Sequence, residues 1–272
     1  MVTPAVYSLD PVPGSAAPIV LDAGNGHRVG YVLFRTFIGP AAEALRTTIG
    51  NLRQAGATDL VIDLRYNGGG LTSVAEVLAN LLRRTHSPAD VMARTVHNPQ
   101  QAASDTAILF GAEPNAMDPG KIAFIVGGGT ASASEMVVNV LQPYLGSNLA
   151  LVGSRTYGKP VGMEAFDNSS CDWLLYLVSF SMVNANGQGG YFQGLPDAGF
   201  RGISIAALDD QAYALGDPAE PSLAAALAWI GQGQTGSPIP PAAAGALKPA
   251  DGAARILHPS PTLAQQFQPG LF

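Results

Sequence analysis

The chain has 272 residues, 47% of them hydrophobic and only 12% charged, which is enough for a full core and too apolar for a disordered chain. Its formal net charge is −6, so it offers no basic stripe for polyphosphate and nucleic acid is not an expected partner. No run of about 18 apolar residues escapes a charge, Gly or Pro, so no membrane span is expected, and the single cysteine, Cys171, excludes a disulfide framework and any multi-cysteine metal site.

The predicted elements alternate. Residues 1–27 form an extended lead-in, with a short strand at Pro18–Asp22 and a hairpin-like turn over Ala23–His27, where Asn25-Gly26 favours positive φ. Met1-Val2-Thr3-Pro4 has neither the basic region nor the apolar stretch of a secretory signal. Val29–Phe37 is β-branched and aromatic, a strand. Pro40–Ala55 is a helix, with Ala41, Leu45, Ile49 and Leu52 at helical spacing and Gly56 beyond its end. Asp59–Leu64 is a nearly continuous apolar strand of the kind buried on both faces. A glycine loop, Gly68–Gly70, leads to a helix over Leu71–Arg84, and a strand follows around Val91–Val96. Residues 97–119 read as loop with one helical turn at Thr106–Phe110. Lys121–Val126 is a second buried strand, Gly127–Gly129 a second glycine run, Ser132–Leu145 a helix and Leu149–Val152 a strand. Trp173–Val183 is a long strand and Ser222–Ile230 the last helix. Residues 231–272 are a Pro/Gly/Ala-rich tail. This order predicts an α/β layered fold with β-α-β crossovers and additional β structure toward the C-terminus.

Three stretches carry chemistry. In Gly127-Gly128-Gly129-Thr130-Ala131-Ser132-Ala133-Ser134-Glu135, small residues cluster where a strand turns into a helix. A serine there has free N–H groups beside it, which suits a nucleophile with an oxyanion hole. The same Ser132 and Glu135 also fit a capping box, which only starts a helix. Gly153-Ser154-Arg155-Thr156-Tyr157-Gly158-Lys159-Pro160 opens like a phosphate-binding loop, but Pro160 replaces the Ser or Thr that would hold Mg²⁺ and removes an N–H. Lys159 is then either a solvated surface lysine or an amine taken out of water, able to accept a serine proton. In Asp63-Leu64-Arg65-Tyr66-Asn67-Gly68-Gly69-Gly70, the glycines serve either a tight turn with Asp63 and Arg65 paired, or an oxyanion site. His27, His86, His97 and His258 lack a matching Ser or Asp motif, though triads are defined by geometry rather than order.

Taken together in chain order, DLRYNGGG, TASASE and TYGKP resemble the C-terminal processing (tail-specific) serine peptidase family. The resemblance covers roughly residues 28–200 and implies a crotonase/Clp-protease-like layered core and a catalytic domain over residues 28–230. It implies Ser132 as nucleophile and Lys159, 27 residues later, as general base. It also implies an oxyanion hole from the N–H of Ala133 and that of Gly68 or Gly69. The mechanism implied is acyl transfer through a serine ester, without cofactor or metal, on unfolded or C-terminal polypeptide segments. Many members place a Gln four residues after the lysine; here Met163 holds that position, and Glu164 is the candidate for orienting the amine. A PDZ domain usually precedes this core, and none fits before Val29. The chain is therefore expected to be a core cut from a longer protein, lacking an upstream PDZ or helical domain, or a reduced member. The family's compartment is the periplasm or cell envelope. Two rivals remain: an inactive peptide- or partner-binding module on the same fold, and a crotonase-like acyl-CoA handler, which gives a Ser–Lys pair no role.

Overall fold

The computed structural model describes residues 9–168 and 173–242. Cys171, His258 and the tail from residue 243 lie outside them.

The continuous apolar runs become parallel neighbours. β2 (Arg28–Leu33), β3 (Asp59–Asp63), β6 (Ile122–Val126) and β7 (Leu149–Gly153) pair in parallel, and the last three are buried at every position. β1 (Ile19–Asp22) returns antiparallel to β2 through the Asn25-Gly26 turn, and β10 (Ile203–Ala206) pairs in parallel with β7. The sheet order is β1-β2-β3-β6-β7-β10.

Full burial requires cover on both faces. On one face lie α1 (Ala41–Gln54), α2 (Thr72–Leu81) and α3 (Ala133–Leu145), whose Leu45, Leu78 and Val137 pack with Leu60, Ile62 and Phe124. On the other lies α4 (Pro221–Gln232), whose Leu223 and Trp229 pack with Val61, Ile125 and Val152. Strand alternation sends Ile62 to one core and Val61 to the other. Among the described residues no helix is long and apolar enough to cross a membrane.

A second, antiparallel sheet packs on α3. Its order is β5-β4-β9-β8, from β4 (Val91–His97), β5 (Ala107–Leu109), β8 (Val161–Asn168) and β9 (Trp173–Asn184). The Tyr144 hydroxyl donates to the Val91 carbonyl at 2.6 Å, and the Asn184 amide donates to the Asn139 carbonyl at 3.1 Å.

This region corrects the sequence reading. Residues 107–109 form a strand against β4, not a helical turn; the helical turn is a 3₁₀ segment at Pro99–Ser104, capped by Asn98. β8 and β10 were not expected, because glycine and proline around both suggest loop. Lead-in and tail are also less separate than expected. β1 belongs to the main sheet, Val12 is buried, and the Ser237 and Pro240 carbonyls accept from the Ala206 N–H (2.7 Å) and Arg155 (2.8 Å).

Just past the end of β3, Arg65 is buried and holds three carboxylates: Asp63 at 2.7 Å, Glu220 at 2.9 Å and Asp209 at 2.9 Å. Glu220 also caps α4 by accepting from the Leu223 N–H at 2.9 Å. The pairing expected from sequence is therefore present and wider. Arg65→Ala leaves Asp63 and Glu220 buried without their cation. It is expected to destabilise the fold by about 3–5 kcal/mol, read as a lower urea midpoint.

Candidate active site

The glycine loop after β3 and the N-terminus of α3 lie side by side at the C-terminal ends of parallel strands, where sheets of this type build sites. Asn67 joins them. Its side chain donates to the Phe34 carbonyl (2.9 Å) and accepts from the Gly69 N–H (3.0 Å). Its carbonyl accepts from the Ala131 N–H (3.1 Å) and the Ser134 hydroxyl (2.9 Å). Thr130 adds a hydroxyl bond to the Leu64 carbonyl at 2.8 Å.

Ser132 begins α3 in an uncommon backbone conformation, φ 56° and ψ −117°. For a residue with a Cβ this costs on the order of 1–3 kcal/mol and persists only where the surroundings impose it. Gly69 is part of that imposition. With φ at +101°, a Cβ on it would lie 2.8 Å from the Ala133 nitrogen and 2.9 Å from the Ser132 Cβ. At Gly68 a Cβ meets nothing within 4 Å. Gly69→Ala is therefore expected to lower the melting temperature and cut turnover by about 10² or more through misplacement of the serine. Gly68→Ala, which keeps its N–H, should leave both nearly unchanged.

The second glycine-rich loop reaches the same place from β7. Its N–H groups meet a carboxylate of the chain itself rather than a phosphate. Glu135, fully buried, accepts from the N–H groups of Gly158 (2.6 Å) and Lys159 (2.8 Å), from the Thr156 hydroxyl, and from the Ser132 N–H (3.0 Å). One side chain thus ties the serine turn to the lysine loop. Burial pushes the Glu135 carboxyl above the usual glutamate range; the Thr156 hydroxyl and the N–H groups of Lys159, Gly158 and Ser132 pull it back in part. The sequence signal for Glu135 was the Ser-x-x-Glu spacing, read there only as a cap.

Ser132, Ala133, Gly68 and Lys159 line one cavity of about 230 Å³, completed by Met136, Tyr191 and the hairpin residues Met163, Tyr176, Phe180 and Met182. Lys159 is half-buried, less enclosed than a dry pocket, because the cavity's hairpin wall of Met163 and Tyr176 is exposed. Tyr191 is buried, and desolvation followed by the Glu135 charge raises its phenol above the usual tyrosine range.

Two of the predicted residues fall elsewhere. Gly69 spends its N–H on the Asn67 side chain, which leaves Gly68, in the cavity wall, as the candidate donor of this loop. Glu164 is exposed and opposes Leu177, on the hairpin face away from Met163 and Tyr176, so it does not reach the cavity. The strand's period of two separates neighbours 163 and 164. Among the described residues no histidine lines the cavity; His27 is held by Asp59 at 2.8 Å and His97 by Asp105 at 3.0 Å.

Residues 28–197 match the family described as Peptidase family S41. The chain is 30% identical over 167 residues to the carboxyl-terminal-processing protease of a Synechocystis strain, covering 61% of this chain and 36% of that protein. It is 30% identical over 143 residues to the chloroplastic C-terminal processing peptidase of Tetradesmus obliquus, covering 52% and 28%. The chain thus spans about a third of the length of these curated relatives. Among solved structures, an S41 protease from Bacteroides fragilis superposes with a TM-score of 0.68 at 24% identity, covering 84% of this chain and 60% of that one. The photosystem II D1 C-terminal processing protease gives 0.54 at 23%, covering 70% and 47%. With the family matched over most of its length, the chain belongs to peptidase family S41.

Proposed function

We propose that the chain is a serine endopeptidase of the C-terminal processing type, acting through a Ser132–Lys159 dyad. The observation that carries this is the shared cavity, which Ser132 and Lys159 line together with Gly68 and Ala133. Lys159 takes the Ser132 proton as Oγ attacks the peptide carbonyl. The N–H groups of Ala133 and Gly68 hold the oxyanion. The C–N bond breaks, the amine leaves with the proton from Lys159, and an ester on Ser132 remains. Water then attacks the ester, giving up its proton to Lys159, which passes it to the Ser132 Oγ as the C–O bond breaks and the acid departs.

Lys159 is oriented through its backbone by Glu135, in place of the Gln that many members use. The substrate is an unfolded or C-terminal polypeptide segment, the working compartment is the cell envelope, and an associated PDZ or helical domain would gate access. The test is incubation with a reduced, alkylated protein: new fragments are expected from the unfolded substrate and few from its folded form. Absence of cleavage by the full chain, with a serine that no serine-directed probe modifies, favours the inactive binding module.

A further inference from the structure

Beyond the cavity, β8 and β9 continue as a hairpin whose side chains no other part of the described chain covers. Trp173 is 78% exposed and Val178 62%; Leu174, Leu175, Leu177 and Phe166 are exposed as well. A two-stranded hairpin that is apolar on both faces is marginal in water without a partner. Its outer strand, β8, is the last of its sheet, but its edge is guarded by the charges of Glu164 and Asp167 and by a break in register at Gly162/Met163, so the surface left open is the hairpin's apolar face rather than its edge.

Residues opposed in an antiparallel pair share a face. Met163 opposes Val178, Ala165 opposes Tyr176, and Asp167 opposes Leu174. Met163, Tyr176 and Phe180 line the cavity, so on this face Val178 lies along the cavity wall between Tyr176 and Phe180, and Leu174 extends it outward. β8 itself starts two residues after Lys159. The apolar surface is thus continuous with the candidate active site and ends at the cavity that Lys159 lines. Among the described residues the hairpin carries Asp167 on this face and Glu164 on the reverse, and the sequence from 160 to 184 adds Asp172 and holds no Lys, Arg or His. A second copy or an anionic lipid surface would bring further negative charge against it.

We propose that this hairpin is the docking strip for the substrate chain: an extended, apolar polypeptide segment, neutral or basic, that lies on its cavity-side face and runs into the cavity. The proposal rests on the peptidase reading, and its test separates the two. In the full-length chain carrying Ser132→Ala, binding of a fluorescent, unstructured apolar peptide is measured by anisotropy. The double substitution Leu174→Ser with Val178→Ser is expected to weaken binding about tenfold or more, from the lost apolar contact. Leu177→Ser, on the reverse face, should change it less than about threefold. An acidic version of the peptide should bind the Ser132→Ala chain itself at least about tenfold more weakly, an arm that needs no hairpin variant.

Equal affinity for the Leu174/Val178 variant overturns the docking strip, and so does an equally tight acidic peptide. A dimer in light scattering that this variant dissolves also overturns it, in favour of a second copy; binding confined to lipid vesicles overturns it in favour of a membrane surface. Hydrolysis of a short activated ester, which reaches only the cavity, is followed in parallel with Ser132 intact. Loss of ester hydrolysis with peptide binding retained contradicts the peptidase reading alone. Retained ester hydrolysis with peptide binding insensitive to the hairpin contradicts the strip alone.

Discussion

Ser132→Ala and Lys159→Ala are each expected to abolish cleavage of an unfolded protein while the far-ultraviolet circular dichroism and melting temperature stay near those of the wild type. The two groups act as one unit, so either loss removes nearly the whole rate advantage, on the order of 10⁴–10⁶ in turnover, and the double variant loses little more. The Ser132 side chain completes the capping box of α3 by accepting from the Glu135 N–H, a contribution of about 1 kcal/mol whose loss leaves the chain folded. Ser132 is fixed by its backbone and by Glu135, and Lys159 meets Glu135 through its backbone N–H rather than its amine. A loss of that size lowers the melting temperature by a few degrees at most and does not account for a fall of about 10⁴ or more in turnover. Turnover that survives in either single variant contradicts the dyad.

Replacement of Glu135 should damage both rate and stability. Its two oxygens receive four donors from two loops. In Glu135→Ala those donors lose their acceptor inside a closed space, a loss on the order of 3–5 kcal/mol. Glu135→Gln keeps the volume but offers one oxygen, and its NH₂ faces N–H groups that also donate. The lysine loop and serine turn then separate slightly, and a displacement near 1 Å costs about 10² in turnover. The expected signature is a fall in kcat with KM little changed, since Glu135 touches no substrate.

The pH dependence follows from the direction of the Glu135 shift, which burial sets upward. A carboxyl whose folded-state value lies above its unfolded value contributes extra stability below the ordinary glutamate range, and that increment is lost as pH rises through the folded value. Glu135→Gln lacks the increment. The stability gap between wild type and this variant should therefore widen on acidification, as urea titrations at several pH values would read it.

The parallel core was legible because its strands announce themselves. DLVID and IAFIV are apolar at nearly every position, and only a sheet covered on both faces accommodates that. Helix α1 showed the 3.6-residue spacing of Leu45, Ile49 and Leu52. The hairpin was half legible. β9 reads as a strand, but its alternation does not sort buried from exposed side chains, because Trp173 to Val178 face no core on either side. β8 was hidden by Gly158, Pro160 and Gly162, which mark its entry and look like a loop.

At the site, the residue types were readable and the geometry was not. Nothing local compels Ser132 to positive φ; Gly69, some sixty residues earlier, and Asn67 impose it. Glu135 is the same Ser-x-x-Glu string whether it merely caps a helix or also anchors Lys159, and three of its four donors come from residues 156–159. The sign of Glu164 was reasonable from its neighbour in the chain, but a strand turns adjacent side chains to opposite faces.

The dyad is tested most directly by intact-mass analysis after exposure to a serine-directed phosphonate. One adduct is expected in the wild type, mapped by peptide sequencing to Ser132, absent in Ser132→Ala and strongly slowed in Lys159→Ala. An adduct on another serine, or labelling of Ser132 at an equal rate without the lysine, would contradict the account.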